Sequence, residues 1–299
     1  MLSEESSIES VAIIGAGLMG RRLAGLVARA GYSVTLVEPV PEVLESGLAD
    51  ARSMATRGAV DGTTSVLDGV EDVDLVIEAI IEDLGVKQAL FKSMGEATSR
   101  AILCSNSSVL PITAIAERVV DGSRCVGTHF WNPPDLIPIV EVVRGSRTSD
   151  STMDRTYAFM ADIGKLPVRV EKDVPGFVGN RLQHALWREA IDLVATGVCD
   201  AETVDLVVKN TIGLRLGEMG PIENADYVGL DLTLAIHEAV LPDICREPHA
   251  SRYLRDLVAQ GELGAKSGQG FLSWPSGSRE QAADRLSAHV QQQLTSQTS

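Results

Sequence analysis

Val11-Ala12-Ile13-Ile14-Gly15-Ala16-Gly17-Leu18-Met19-Gly20 reads as a strand, a tight turn and the first turn of a helix. A short run of β-branched residues leads into three glycines spaced G-x-G-x-x-G, and a helix-patterned segment follows at once. Gly15 permits the turn, Gly17 lets a pyrophosphate approach the backbone, and Gly20 lets the helix pack close to its strand. Free N–H groups at Leu18, Met19 and Gly20, aided by the helix dipole, then suit phosphate. Glycines at this spacing also serve plain turns, so the context decides. A second strand, Ser33-Val34-Thr35-Leu36-Val37, follows on schedule and ends at Glu38. A carboxylate there accepts hydrogen bonds from both ribose hydroxyls of NAD and repels the additional phosphate of NADP. The expected cofactor is NAD.

Working outward, 299 residues suffice for two domains with sizeable cores. A hydrophobic content of 44% and a charged content of 22% are ordinary for a globular protein. The formal net charge of −15 argues against nucleic acid and against an anionic membrane surface as partners. Cys104, Cys125, Cys199 and Cys245 are scattered without a C-x-x-C pair, which reads as reduced thiols rather than a disulfide frame or a metal site. Residues 1–9 are acidic and lack an apolar signal core, and no apolar run approaches the ~20 residues of a membrane span. The expected compartment is the cytoplasm.

Beyond Glu38 the pattern predicts a helix from Glu42 to about Arg57, then a loop over Gly58–Val70 with one short strand. Strands follow at Val73–Ala79, Ala101–Cys104, Arg124–His129, Ile137–Val143 and Pro167–Val170, with helices at Asp83–Thr98 and Ser149–Ile163. Strands alternating with helices predict a Rossmann-like, doubly wound, mostly parallel sheet. After Asp173-Val174-Pro175-Gly176 strand signals nearly vanish. Helices are expected at Gly176–Gly197, Ala201–Asn210, Ile222 to about Val240 and Ser251–Gln260, and the polar tail after Trp274 either carries a last one through Leu286, Val290 and Leu294 or frays. The expected organisation is an NAD-binding domain over 1–174 and an all-α domain over 175–299. Its helices are too apolar to face water alone, so that second domain is expected to form a homodimer.

Hydride chemistry on an alcohol needs a proton acceptor. Of the five histidines, His129 stands at the end of the predicted strand Cys125-Val126-Gly127-Thr128, on the rim where open α/β sheets hold ligands. Glu141 interrupts the apolar run Ile137-Pro138-Ile139-Val140-Glu141-Val142-Val143 and needs a partner there. If the two strands are neighbours, Glu141 can bond one imidazole nitrogen, fixing the tautomer and stabilising the imidazolium. Spacing alone leaves the plainer alternative open, a histidine satisfied as an ordinary polar residue.

The blocks that follow carry a resemblance. They are the glycine fingerprint, Asp74-Leu75-Val76-Ile77-Glu78-Ala79-Ile80-Ile81-Glu82, Ser105-Asn106-Ser107-Ser108 and His129-Phe130-Trp131-Asn132-Pro133. Val140-Glu141-Val142, Pro175-Gly176-Phe177-Val178-Gly179-Asn180-Arg181-Leu182, Gly220-Pro221 and Lys266-Ser267-Gly268-Gln269-Gly270-Phe271 complete them. In this order and spacing the chain resembles the L-3-hydroxyacyl-CoA dehydrogenase superfamily from about Val11 to Trp274. The resemblance implies that His129 is the general base, that Glu141 orients it, and that Ser108 and Asn180 bind the reacting oxygen. It also implies NAD contacts at Ala79, Glu82, Lys87 and Asn106, beside Gly15, Gly17, Leu18, Met19, Gly20 and Glu38. Asn180 could alternatively be a helix-interior polar residue bonded to its own backbone.

Two features bear on the substrate. The segment between the second strand and Asp74 is shorter than in the acyl-CoA enzymes it resembles, where a basic helical insertion helps hold coenzyme A; here only Arg52 and Arg57 are available. Asn132-Pro133-Pro134-Asp135-Leu136-Ile137-Pro138 resembles a branch acting on small free hydroxy acids, whereas Asp226-Tyr227-Val228-Gly229-Leu230-Asp231 is closer to the acyl-CoA branch. Expected functions are therefore oxidation of a 3-hydroxyacyl thioester, the same chemistry on a small 3-hydroxy carboxylate or carrier-bound unit, or NAD binding without catalysis. No cluster has metal-ligand spacing.

Overall fold

Eight strands form one sheet: β1 (Ser10–Ile14), β2 (Ser33–Val37), β3 (Val60–Thr63), β4 (Leu75–Glu78), β5 (Ile102–Ser105), β6 (Cys125–Phe130), β7 (Ile139–Val143) and β8 (Leu166–Val170). Their spatial order is β3-β2-β1-β4-β5-β6-β7-β8. All neighbours run parallel except β6 and β7, which are antiparallel. This computed structural model describes residues 8–297; most of the acidic N-terminal segment lies outside them.

Alternate residues of each strand face opposite layers, and in β1, β4, β5 and β7 both sets are buried, which is why these strands read as apolar runs. Val11, Ile13, Leu36, Leu75 and Ile77 pack under α1 (Leu18–Ala30), α2 (Pro41–Met54) and α6 (Asp150–Asp162). Ala12, Ile14, Val76 and Leu103 face the layer of α3 (Val66–Val70), α4 (Leu84–Ala97) and α5 (Ile112–Ile115). The sheet is the doubly wound, mostly parallel one expected. The segment expected as a loop with one strand holds β3 and the short α3, the latter capped by Ser65 accepting from the Asp68 N–H.

The chain divides into compact units at Met1–Arg181 and Leu182–Ser299. The second is helical throughout its described regular structure. α7 (Gly179–Ala195) runs into it, followed by α8 (Ala201–Asn210), α9 (Ile212–Leu216), α10 (Pro221–Val228), α11 (Leu230–Val240), α12 (Arg252–Ala259) and α13 (Ser278–Gln297). The single helix expected from Ile222 to Val240 is in fact two. Gly229, at φ +99°, takes a conformation that no helix continues, and it separates α10 from α11. The strand-like run Phe271–Trp274 forms isolated bridges only, Gly264 with Gln269 and Gln269 with Ser273. Among the described residues no helix is long and apolar enough to cross a membrane.

Candidate active site

The carboxyl ends of β1, β4, β5 and β6 converge where the strand order reverses, the place at which open α/β sheets bind ligands. At β1 the turn Gly15-Ala16-Gly17 leads into α1, with Gly15 at φ +98° and its N–H donating to Val37 O at 2.8 Å. A Cβ on Gly20 would stand 1.7 Å from Gly15 O, so helix and turn are in direct backbone contact. A Cβ on Gly17 would meet nothing within 4 Å. That open space, before the unsatisfied N–H groups of the first turn, is what a dinucleotide's phosphates require. Leu18 is exposed, Met19 and Ala79 are half-buried, and the Ala79 N–H donates to Ile14 O. Glu38 follows β2, its carboxylate accepting from the N–H groups of Ala16 (3.1 Å) and Val40 (3.2 Å). These bonds hold the carboxylate beside the glycine turn. The residues present thus fit NAD.

Across the sheet, His129 and Glu141 are direct partners in the antiparallel β6–β7 register. Paired residues share one face, so the sequence distance of twelve becomes a contact. His129 Nδ1 lies 2.7 Å from Glu141 Oε2. A carboxylate can only accept, so Nδ1 carries the hydrogen and Nε2 of the neutral ring keeps its lone pair. The other carboxylate oxygen accepts from the N–H groups of Val178 (2.9 Å) and Gly179 (3.1 Å), where α7 begins. Burial pushes the Glu141 carboxyl up, but the bonds from His129, Gly179 and Val178 together outweigh it and hold the group below the usual carboxylate range. His129 is only 3% exposed, walled by Trp131 and Phe177 at ring-centroid distances of 5.1 and 5.8 Å. Phe177 holds a left-handed backbone, φ +47°, and a Cβ on Gly179 would collide with Trp131 Cζ2 at 2.3 Å. The ring is therefore fixed on several sides.

Ser108 lies beyond β5, and Asn180 Nδ2 donates to its carbonyl oxygen at 2.9 Å. The Asn180 amide is thus bonded to this loop rather than to its own helix, and its second N–H remains for another acceptor. Asn106 Oδ1 accepts from the Phe130 N–H at 2.9 Å, tying the ends of β5 and β6 together beside His129. The structure brings His129, Glu141, Ser108, Asn180 and Asn106 to one rim of the first unit.

Glu82 and Lys87 sit differently from one another. The Glu82 side chain is about one-third exposed at 34%, whereas Lys87 is 1% exposed. Lys87 Nζ lies 2.5 Å from Glu78 Oε1 and 3.3 Å from Glu82 Oε2. Its charge is committed inside the protein, so any influence on a cofactor passes through Glu82. Sequence reading assigned no role to Glu78, a fully buried acid whose other oxygen accepts from Ser105 Oγ at 2.7 Å. The signal was available: Glu78 closes the apolar run Leu75-Val76-Ile77 as Glu141 interrupts its own. Removing one partner from a buried ion pair costs about 3–5 kcal/mol, so neither group is incidental.

The family model described as 3-hydroxyacyl-CoA dehydrogenase, NAD binding domain, matches residues 10–174, and the model for the C-terminal domain matches 176–274. This chain belongs to the 3-hydroxyacyl-CoA dehydrogenase family. It is accordingly an NAD-dependent oxidoreductase acting on a CH–OH group. It is 36% identical to a probable 3-hydroxybutyryl-CoA dehydrogenase of Deinococcus radiodurans, over 88% of this chain and 99% of that one. It is 34% identical to the 5-formyl-3-hydroxy-2-methylpyridine 4-carboxylate 5-dehydrogenase of Mesorhizobium japonicum, over 89% and 91%. Among solved structures, a dehydrogenase of that same pyridine carboxylate matches with a TM-score of 0.88 at 31% identity, covering 95% of this chain and 96% of that one. The (S)-3-hydroxybutyryl-CoA dehydrogenase of Ralstonia eutropha matches at 0.74 and 32%, covering 90% and 100%.

Within the 3-hydroxyacyl-CoA dehydrogenase family frame, two arginines follow the glycine fingerprint. Arg21 Nε donates to the carbonyls of Ala16 and Gly17 and its head pairs with Asp50 at 2.7 Å. Arg22 pairs with Asp135 at 2.9 Å, fastening the proline-rich connection between β6 and β7 to α1. Lys165 anchors the same connection, donating to the carbonyls of Pro134 and Ile137. Burial and the nearby Arg29 cation push the Lys165 ammonium down to about 8 against the pull of Asp135. The α2–β3 connection spans only residues 55–59, and Arg52 Nε is spent on Val60 O at 2.9 Å. No basic helical insertion stands there.

Proposed function

We propose that the chain interconverts an L-3-hydroxyacyl thioester of the 3-hydroxyacyl-CoA type and its 3-oxo form. The observation that carries this reading is the His129–Glu141 pair, with Nε2 left as acceptor, on the rim shared with Ser108 and Asn180. The chemistry NAD supplies when bound is acceptance of the hydride from the carbinol carbon, and its return in the reverse direction. His129 Nε2 takes the hydroxyl proton as that carbon becomes a carbonyl. Glu141, kept ionised by its donors, stabilises the imidazolium so formed. Ser108 Oγ and the free Asn180 N–H donate to the oxygen as its double bond develops. Gly15, Gly17, Leu18, Met19 and Gly20 hold the pyrophosphate, Glu38 the ribose, and Ala79, Glu82 and Asn106 line the remaining contact.

A second reading keeps the chemistry on a small free hydroxy acid or ring alcohol. The higher TM-score to the pyridine-carboxylate enzyme supports it, as does the short α2–β3 connection. One assay separates the two: acetoacetyl-CoA against free 3-hydroxy acids and pyridine-ring alcohols, each with NAD(H) and NADP(H). The thioester is expected to turn over at least tenfold faster per unit of kcat/KM. Turnover of free acids alone would transfer the assignment to the second reading, and equal rates with NADP would remove Glu38 as the discriminating acid.

We also propose that residues 1–174 serve cofactor binding and 175–299 substrate binding and dimerisation, in the cytoplasm. The four unpaired cysteines suit a reducing compartment. Support for a homodimer comes from the second unit's lack of a core of its own. Leu257 is its one buried hydrophobic residue among those described, while Leu206, Leu214, Ile222, Tyr227 and Leu234 stand exposed. A second copy of the chain is the surface that would cover them. Sedimentation equilibrium is expected to return twice the mass of 31.8 kDa, and a monomer at micromolar concentration would overturn this.

A further inference from the structure

Glu78, Ser105, His129 and Glu141 project from the same face of the sheet, at the ends of β4, β5 and β6 and across on β7. Glu78 and Ser105 are direct partners in register. Around Glu78 and Ser105 runs a connected set of hydrogen bonds. Glu78 Oε1 accepts from Lys87 Nζ (2.5 Å) and from the Ile80 N–H (2.8 Å), while Oε2 accepts from Ser105 Oγ (2.7 Å). Ser105 Oγ in turn accepts from the Ser107 N–H at 3.2 Å. On its other side Lys87 reaches Glu82 Oε2. Glu82 Oε1 accepts three times, from Ser107 Oγ (2.5 Å), the Ser108 N–H (2.9 Å) and the Val109 N–H (3.0 Å). Ser108 then passes the order on, since its carbonyl holds Asn180.

We infer that Lys87 and Glu78 are positioning residues for the oxygen-binding pair: the buried ammonium clamps Glu82, and Glu82 sets the loop that presents Ser108 and Asn180. Three features support a role beyond packing. The cation is enclosed, so it offers a cofactor no free charge of its own. Burial raises the Glu82 carboxyl, yet Ser107, the Val109 N–H and Lys87 outweigh burial and keep it ionised, as a triple acceptor must be. Every bond that Glu82 Oε1 accepts comes from the loop carrying Ser108, none from a neighbouring helix. A knot that merely held α4 to the sheet would need Glu78 and Lys87 but not the second carboxylate.

The inference rests on the roles proposed for Ser108 and Asn180, and its test separates from theirs. Lys87→Met strands Glu78 without a cation, whereas the double variant Glu78→Gln/Lys87→Met removes both buried charges and restores the balance. Three readouts are taken: the melting temperature, the NAD dissociation constant by titration, and kcat with whichever substrate the parent turns over. Amide hydrogen exchange of residues 105–110 is followed beside them and does not depend on activity. In the double variant the melting temperature is expected to return toward the parent's. kcat stays about 10- to 100-fold down, as misplacement of a positioning group produces, with NAD affinity within threefold. Exchange at Ser108 and Val109 is expected to be faster than in the parent. Recovery of kcat together with stability would reduce the pair to a structural knot. A tenfold loss of NAD affinity at unchanged kcat would mean that the pair acts through Glu82 on the cofactor and not on Ser108 and Asn180, and would overturn the inference. Should the parent turn over no hydroxyacyl or hydroxy-acid substrate, the functional reading falls, while unchanged exchange at residues 105–110 sinks the clamp separately.

Discussion

His129→Ala is expected to lower kcat about 10²–10⁴-fold, the usual worth of a positioned general base. The variant loses the proton acceptor and also the Nδ1–H that Glu141 Oε2 accepts. Glu141 Oε1 keeps the N–H groups of Val178 and Gly179, so the carboxylate retains two donors, and a thermal melt beside the kinetics separates lost chemistry from lost stability. The glycine turn and Glu38 lie on other strands, so NAD affinity is expected to stay within about threefold. A loss confined to kcat, carried equally into kcat/KM, would mark an interaction made in the transition state. Unchanged turnover at saturating NAD would remove His129 as the base and with it the proposed mechanism. A loss appearing only as weaker NAD binding would move the residue to the cofactor site.

The second large effect is expected at the fingerprint, where two glycines answer to different neighbours. In Gly20→Ala the new methyl group would stand 1.7 Å from Gly15 O, an atom of backbone that cannot swing aside. Turn and helix must separate. Overpacking of this kind costs about 1–3 kcal/mol and occasionally more, which lowers the melting temperature by roughly 2–4 °C per kcal/mol in a domain of this size. Displacing the turn is expected to weaken NAD binding at least tenfold, about 1.4 kcal/mol. In Gly17→Ala the methyl group meets no protein atom within 4 Å, so stability is expected to hold while NAD affinity falls. Thermal melts and NAD titration of the two variants provide the comparison. If Gly17→Ala binds NAD like the parent, the cofactor's phosphates do not pass this turn.

What could be read from residues alone was whatever depends on local pattern. The strands β1, β4, β5 and β7 announced themselves as apolar runs, because burial on both faces leaves no polar alternation to confuse them, whereas β3, Val60-Asp61-Gly62-Thr63, is half-exposed and carries no such run. The partnership of His129 and Glu141 could be posed from a charge inside such a run, but only the antiparallel register of β6 and β7 joins them. Pairing direction is a tertiary property and leaves no mark on single residues. Glu78 was equally visible as an acid within an apolar strand, yet its partner Lys87 stands on a helix, where a lysine looks like ordinary surface. The break between α10 and α11 shows the opposite limit. One glycine inside a helical pattern is compatible with continuation, and only its backbone angle reveals the stop.

One consequence of the β6–β7 hairpin concerns length rather than composition. Successive side chains of a strand alternate between faces, so slipping β7 by a single residue would turn every one of its side chains over. Glu141 would leave the imidazole and enter the layer where Val140 and Val142 now meet Met153 and Met160. Substitutions within the connecting segment Trp131–Pro138 leave that register alone, but an insertion or deletion that propagates into β7 does not. The spacing from histidine to acid is therefore a stricter inheritance than most of the letters between them.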